Sequence, residues 1–351
     1  MNSRQNQPPG KGRSSLSHVG VSVITAVSDQ SHVGEARRVA GVLARNGGAN
    51  PTQTARAALI ATEMATNILK HAPGEGMIAM DRFQDTQGAG VELLAIDKGP
   101  GIADLQACLA DGYSTAGSPG TGLGAIARQA DLFGVYSRPG LGTVVQARLV
   151  DAPPSKIAPG TDIGVVAATY PGETVCGDRW AFDANGRGRT LLVADGSGHG
   201  SQAARAADLA TKIFSEHASE DCVSLVERMH RGLAPTRGAA LAVARIDADE
   251  ALIRFVGVGN IAGAVVTGTD ARQMVSHNGT AGHVAPRIRE FSYPFAGASC
   301  VIMHSDGLSN RWRIADYPGL TACHPSLIAA VLFRDFRRAR DDATIAVMRP
   351  R

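Results

Sequence analysis

Apolar and polar positions along this chain recur with two different periods, and the switches between them outline its elements. A strand-like run at Val19–Val27 gives way to a helical period over 32–45 and a longer one from Pro51. Asn50 stands at the N-cap of that second helix and Pro51 at its first position, where a missing N–H is harmless. Strand patterns follow near 76–83 and 91–96, then a loop-rich stretch, a helix over 122–133 and a closing pair of strands that includes Gly142–Leu149. Beyond residue 160, strands at 163–169, 189–194, 239–246, 252–258 and 300–303 dominate. Helices are expected over 201–217, 221–233 and 325–336, and a last strand over 343–348.

Two stretches carry no period. Residues 1–17 are polar and read as a flexible tail, and residues 151–160 hold three prolines and a glycine, a composition that interrupts helix and strand alike. The second reads as a linker. A length of 351 residues suits two domains, placed here at 18–150 and 161–351. With 44% hydrophobic and 19% charged residues the chain is globular, and the 41 glycines imply many tight turns. No apolar run is long enough to span a bilayer and the N-terminus lacks a signal-type apolar core, so a cytoplasmic protein is expected. The net charge of +3 is spread evenly over both halves, which argues against a nucleic-acid partner. Arg334, Arg337, Arg338 and Arg340 read as a solvated helix face. The five cysteines lack a C-x-x-C pair and read as reduced thiols.

Three motifs in the first half carry chemistry. Glu63, Asn67 and His71 are spaced i, i+4, i+8, so they share one face of the helix from Pro51, with Lys70 beside them. Alone, such a stripe is also what a wet helix surface looks like. Next, the apolar strand Leu93–Ile96 delivers Asp97, followed by Lys98-Gly99-Pro100-Gly101. A carboxylate there can accept from an exocyclic amino group, while the glycines let backbone approach a flat base. Third, Gly120-Thr121-Gly122-Leu123-Gly124 runs into a helix, exposing consecutive N–H groups as a phosphate cradle. The spacing is not that of a dinucleotide fingerprint, and no Walker lysine is present.

In this order the motifs resemble the N, G1 and G2 boxes of the GHKL (Bergerat-fold) ATPases, with Gly142-Thr143 similar to their closing G-T element. The likeness runs over about residues 18 to 150 and is strongest to the switch serine kinases and anti-sigma factors of bacterial partner switching. It implies ATP with Mg²⁺, Glu63 as general base toward a protein serine and Asn67 as Mg²⁺ ligand. Asp97 would hold adenine, with Gly99, Gly101, Gly120, Thr121, Gly122, Gly124 and Thr143 lining the nucleotide. A sensor histidine kinase, which needs a phospho-accepting histidine on a dimerising helix before the N box, is disfavoured, because only about thirty residues, opening with a strand, separate Val19 from Pro51.

The second half places aspartates where strands begin or end: Asp178 in Cys176-Gly-Asp, Asp195 before Gly196-Ser-Gly-His-Gly, Asp306 before Gly307, and Asp341-Asp342 before the last strand. Carboxylates at sheet ends converge readily, and converging acids call for a hard divalent cation. Singly, each Asp-Gly is also an ordinary turn. Together the four resemble the SpoIIE-type branch of the PPM serine/threonine phosphatases, with D-G-x-G-H-G at Asp195–Gly200 and D-D-A-T at Asp341–Thr344. That resemblance implies two Mn²⁺ or Mg²⁺ ions held by Asp178, Asp195, the Gly196 carbonyl, Asp306 and Asp341 or Asp342. His199 and His304 are expected to support the site rather than react.

The expected fold is α+β: a Bergerat-type α/β sandwich followed by a PPM-type αββα sandwich. The implied function is a bifunctional switch, kinase plus phosphatase, acting on STAS-domain or anti-sigma-antagonist partners. A non-catalytic ATP-dependent binding module in the first half is the alternative.

Overall fold

The computed structural model describes residues 21–74, 76–85, 88–109, 122–152, 161–185, 188–247, 249–285, 287–297, 299–338 and 340–350. The polar tail, the 153–160 segment and the glycine cradle at Gly120-Thr121 lie outside these residues. In the first half the elements are β1 (Val23–Val27), α1 (Gln30–Asn46), α2 (Pro51–His71), β2 (Gly76–Asp85), β3 (Gly88–Asp97), α3 (Leu105–Leu109), α4 (Leu123–Gln129), β4 (Leu132–Ser137) and β5 (Thr143–Ala152). α2 starts on a capping box: Gln53 N donates to Asn50 Oδ1 at 2.9 Å and Asn50 N to Gln53 Oε1 at 3.0 Å. The five strands form one antiparallel sheet in the order β1-β2-β3-β5-β4. The apolar stripes of α1 and α2 close one face of it over Met64, Ile68, Ile78, Leu93 and Leu149.

The expected helix over 122–133 is shorter than its pattern suggested. It stops at Gln129, and Leu132 and Phe133 belong to β4, paired with Arg148 and Ala147 of β5. Ala130 is extended, and Asp131 N donates to Arg148 O at 2.9 Å, so sheet pairing captures residues that also fit a helical period.

The second half contains β6 (Thr161–Ala168), β7 (Asp178–Asn185), β8 (Gly188–Gly196), α5 (Ser201–His217), α6 (Cys222–Gly232), β9 (Ala239–Asp247), β10 (Leu252–Val258), β11 (Ala262–Thr267), β12 (Asp270–Gln273), β13 (Phe291–Pro294), β14 (Cys300–His304), α7 (Pro325–Phe336) and β15 (Ala343–Pro350). Two antiparallel sheets, β13-β10-β9-β8-β7 and β12-β11-β14-β15-β6, face each other across a core of Trp180, Phe182, Phe255, Val301 and Met303. α5 and α6 cover the outer face of the first of these sheets. Strands β7, β11, β12 and β13 were not visible as separate periods.

Helix α7 decides how the halves meet. Every residue from Pro325 to Arg334 is buried, which an amphipathic surface helix would not allow. One side packs on β6 and β15, the other on β3, β4 and β5 of the first sheet. A single core therefore joins Leu94, Ile96, Tyr136 and Val144 to Val166, Ile302, Ile345 and the α7 side chains. Gly164 on β6 makes this possible: a Cβ there would stand 2.0 Å from Ser326 N of α7. The layers run α1/α2, first sheet, α7, β6-side sheet, β7-side sheet, α5/α6. Arg334 is accordingly no solvated residue but 6% exposed, inside the shared core.

Across the same contact lies a buried polar network. Arg148 Nε donates to Glu92 Oε1 at 2.6 Å, Ser326 Oγ of α7 donates to Glu92 Oε2 at 3.0 Å, and Arg148 Nη2 reaches Ile163 O at 3.2 Å. Burial alone would push the Glu92 carboxyl up, but Arg148 and His324 outweigh it and hold it below its ordinary value.

Candidate active sites

In the first half, β3 ends at Asp97, half-buried under the turn that connects β4 to β5. Gly99 N and Thr143 N donate to Asp97 Oδ1 at 2.8 and 3.2 Å. Gly140 N donates to Pro100 O at 2.7 Å and Ile102 N to Ser137 Oγ at 2.8 Å, knitting loop to turn. Two glycines are required by this closeness. Gly142 has φ +79°, and a Cβ would lie 2.1 Å from Asp97 O; Gly101 has φ +72°, and a Cβ would lie 2.0 Å from Arg138 O. The C-terminal end of α2 meets the same loop, since a Cβ on Gly99 would stand 2.9 Å from His71 O. Glu63 and Asn67 lie half-buried on α2. Burial raises the Glu63 carboxyl, with Lys70 opposing, and burial also raises Asp97 against the pull of its two N–H donors. Gly122 caps α4 and Gly124 is buried within it. Gly120 and Thr121 lie outside the described residues.

In the second half the two sheets bring their strand ends together. Asp178 opens β7 directly opposite Asp195 near the end of β8, while Asp306 follows β14 and Asp341-Asp342 precede β15. Asp195, Asp306 and Asp341 line one cavity of about 670 Å³, together with Ser197, Asn260 and Arg340. Gly196, next to Asp195, is packed so closely on α5 that a Cβ would meet Ala203 O at 2.0 Å.

Asp178 sits beneath this rim, 1% exposed. Its Oδ2 accepts from Ser305 Oγ at 2.6 Å, and Thr344 N donates to the same hydroxyl at 3.0 Å; its buried Oδ1 has no partner. Burial pushes Asp178 up to about 7, and burial with the surrounding carboxylates pushes Asp195 up to about 9. Asp341 is also raised, by burial and then by Asp306. Asp342 is held differently. Its Oδ1 accepts from Tyr170 N at 2.6 Å and its Oδ2 from Gly177 N at 2.8 Å, so both oxygens organise backbone.

The donor set is all oxygen, which suits Mg²⁺ or Mn²⁺ and not zinc. Among the described residues no group of three or more His, Cys, Asp or Glu side chains already stands in a geometry that holds an ion. The unpartnered Asp178 Oδ1 and the crowded, raised carboxyls are nonetheless what a cation would relieve.

Three neighbours escaped the motif reading. Asn260 Nδ2 donates to Asp306 Oδ2 at 2.8 Å; its only local signal is its place just after strand β10. His199 Nδ1 lies 2.7 Å from Glu173 Oε1, and its ring stacks on Tyr170 at 5.3 Å. Nothing local marks Glu173 or Tyr170. His304 is buried against Trp312, whose Nε1 donates to its Nε2 at 3.2 Å.

Known protein families match both halves of the chain. The histidine kinase-like ATPase domain family covers residues 26–149, and the stage II sporulation protein E (SpoIIE) family covers residues 185–351. The serine/threonine-protein kinase RsbT of Bacillus subtilis is 36% identical over 112 residues, 32% of this chain and 84% of RsbT. The chain joins an RsbT-type ATPase domain to a SpoIIE-type serine phosphatase domain. The phosphoserine phosphatase RsbX of the same organism is 30% identical over 90 residues, 26% of this chain; those 90 residues span 45% of RsbX. A solved structure described as the bacterial stressosome, a modular system adapted to control secondary messenger signaling, matches in fold. It has a TM-score of 0.51 and 24% identity, and the match covers 54% of this chain and 99% of that one. No helix among the described residues is long and apolar enough to cross a membrane.

Proposed function

We propose that the RsbT-type domain is an active protein serine kinase and that the SpoIIE-type domain removes phosphate from serine or threonine within the same partner-switching circuit. The substrates proposed are STAS-domain, anti-sigma-antagonist-type proteins. The convergence of Asp195, Asp306 and Asp341 on one cavity, with Asp178 beneath it, carries the phosphatase reading. The kinase reading rests on Glu63 and Asn67 sharing the face of α2 whose end abuts the Asp97 loop, and on the likeness to RsbT.

In the kinase half, Glu63 takes the proton from the attacking serine hydroxyl, and its raised affinity for a proton suits that task. Asn67 would offer a carboxamide oxygen to Mg²⁺, and Asp97 would accept from the adenine amino group. In the phosphatase half, Asp178, Asp195, the Gly196 carbonyl, Asp306 and Asp341 would hold two Mn²⁺ or Mg²⁺ ions. When bound, such ions activate water for in-line attack on a phosphoryl group. Asn260 holds Asp306 at the cavity, and Ser305 holds the Asp178 carboxylate beneath it. Asp342, whose two oxygens already accept from backbone, orients the Tyr170–Gly177 loop, which leaves Asp341 as the ligand of the pair. The protein is expected to work in the cytoplasm.

The test uses the full chain, labelled ATP and a STAS-domain protein. Wild type with Mg²⁺ labels the partner; Glu63→Gln binds ATP but does not label; Asp195→Asn labels but fails to release phosphate when Mn²⁺ is added. Wild type that binds both ATP and partner yet never labels would make the first domain a non-catalytic binding module.

A further inference from the structure

The phosphatase cavity holds three carboxylates and one permanent cation. Among its described lining residues, Arg340 is the single Lys or Arg. It is exposed and has no hydrogen-bond acceptor or salt-bridge partner among the described residues, although Asp341 is its neighbour and Asp195 and Asp306 share the cavity. The other arginines nearby are otherwise engaged or lie off the cavity. Arg179 is bonded to Asp208, and Arg337 lies over Phe333 and donates to Thr169 O. Arg237 stands over Gly198, its Nη1 3.4 Å from the Cβ position, but does not line the cavity.

An unpaired guanidinium beside acids that do not engage it is a donor fork left open. Planar, bidentate donors of this kind match the oxygens of a phosphate monoester dianion. The remaining polar lining is Tyr170, Ser197, His199, Asn260, Asn278 and Thr280, and the His199 ring is already held by Glu173 and Tyr170. The carboxylates cannot attract a dianion themselves, and Arg340 is the permanent cation among the described lining residues that can. The geometry points to Arg340 as the phosphate-anchoring residue of the phosphatase site. Its ligand is the phosphate of a phosphoserine or phosphothreonine side chain. This rests on the phosphatase reading of the cavity, and it adds the substrate contact that the acidic residues do not provide.

The short connection between Arg340 and the last strand makes the assignment specific. Asp341 and Asp342 are placed by β15 and by the backbone donors on Asp342, so the residue just before them is carried to a fixed place at the cavity mouth. Removing the guanidinium therefore weakens phosphate binding without disturbing the acids.

The experiment compares wild type, Arg340→Ala, Arg340→Lys and Arg237→Ala as full-length proteins. Hydrolysis of p-nitrophenyl phosphate with Mn²⁺ gives KM and kcat. Inorganic phosphate is used as a competitive inhibitor and, separately, titrated calorimetrically into Mn²⁺-loaded protein. Loss of one charge-assisted contact predicts that Arg340→Ala raises KM and the phosphate dissociation constant by about tenfold or more, with kcat changed by less than about threefold. Arg340→Lys recovers part of the loss, Arg237→Ala stays within about twofold of wild type, and the Mn²⁺ concentration for half-maximal thermal stabilisation is unchanged in all three. Phosphate binding by Arg340→Ala within about twofold of wild type, or a larger effect from Arg237→Ala, overturns the assignment. A wild type that hydrolyses nothing, indistinguishable from Asp195→Asn, instead sinks the phosphatase reading on which the assignment stands.

Discussion

Replacing Arg148 with Met tests whether the two halves share one core. Arg148 is 2% exposed, and its guanidinium is the counter-charge for Glu92, itself 6% exposed. The Met side chain fills similar space but takes the bonded guanidinium from Glu92, which keeps Gln146 Nε2 at 2.6 Å, Ser326 Oγ at 3.0 Å and the weaker pull of His324. Breaking a buried pair from one side costs about 3–5 kcal/mol, because the remaining charge is desolvated and uncompensated. At about 2–4 °C per kcal/mol for units of this size, the midpoint of thermal unfolding should fall by roughly 6–20 °C. Both tryptophans, Trp180 and Trp312, lie in the phosphatase half, so their fluorescence follows that half alone, while hydrogen exchange on α2 follows the other. Both probes are expected to shift together, since Glu92 and Arg148 belong to the first sheet and Ser326 to α7. The pH dependence has a definite sign. Glu92 is held below its ordinary pKa in the folded protein, so its contribution is present above the unfolded carboxylate range. It is lost as pH falls through the folded value, and the gap between wild type and Arg148→Met narrows in acid. The double variant Arg148→Met/Glu92→Leu should recover much of the loss. A tryptophan midpoint that stays put in Arg148→Met while the α2 probe falls would refute the shared core.

The metal site and one glycine yield further tests. Asp178 and Asp195 are raised to about 7 and about 9 in the folded protein, above their unfolded value, so the metal-free chain loses stability as pH rises through that window. Cations replace those protons, so the rise in unfolding temperature caused by Mn²⁺ should grow from pH 6 to pH 9; a shift independent of pH counts against these acids as ligands. Gly164→Ala forces a Cβ to within 2.0 Å of Ser326 N and is expected to cost about 1–3 kcal/mol or more by denaturant unfolding. Gly297→Ala, with nothing within 4 Å of its Cβ, should stay within about 0.5 kcal/mol.

Much of both sites was legible along the chain because their chemistry is local. A glycine that must hold a positive φ or admit a neighbouring backbone, as Gly101 and Gly142 do, announces itself, and so does an aspartate at the end of an apolar strand, as at Asp97, Asp195 and Asp306. The capping box at Asn50 and Gln53 is a matter of three residues. Where two local preferences competed, as at Leu132 and Phe133, only the partner strand decided, because the same apolar residues satisfy a helix or a sheet.

What lay beyond the sequence was everything that depends on partners far along the chain. Asp341 and Asp342 are adjacent and chemically identical; the structure tells them apart by the backbone N–H groups of Tyr170 and Gly177, which donate to Asp342. Asn260 and Glu173 gain meaning only from Asp306 and His199, brought to them by the sheets. Most of all, the Pro-rich break before residue 161 reads as a linker between two domains, and nothing in it tells that α7 packs against the first sheet and the β6-side sheet and gives the two halves a common core. Residue order alone set most of the helices and the longer strands, the turns and the acidic strand ends, because those follow from short-range sterics and periodicity. The tertiary structure decided which apolar face met which, since burial is non-directional and several faces could have covered α7.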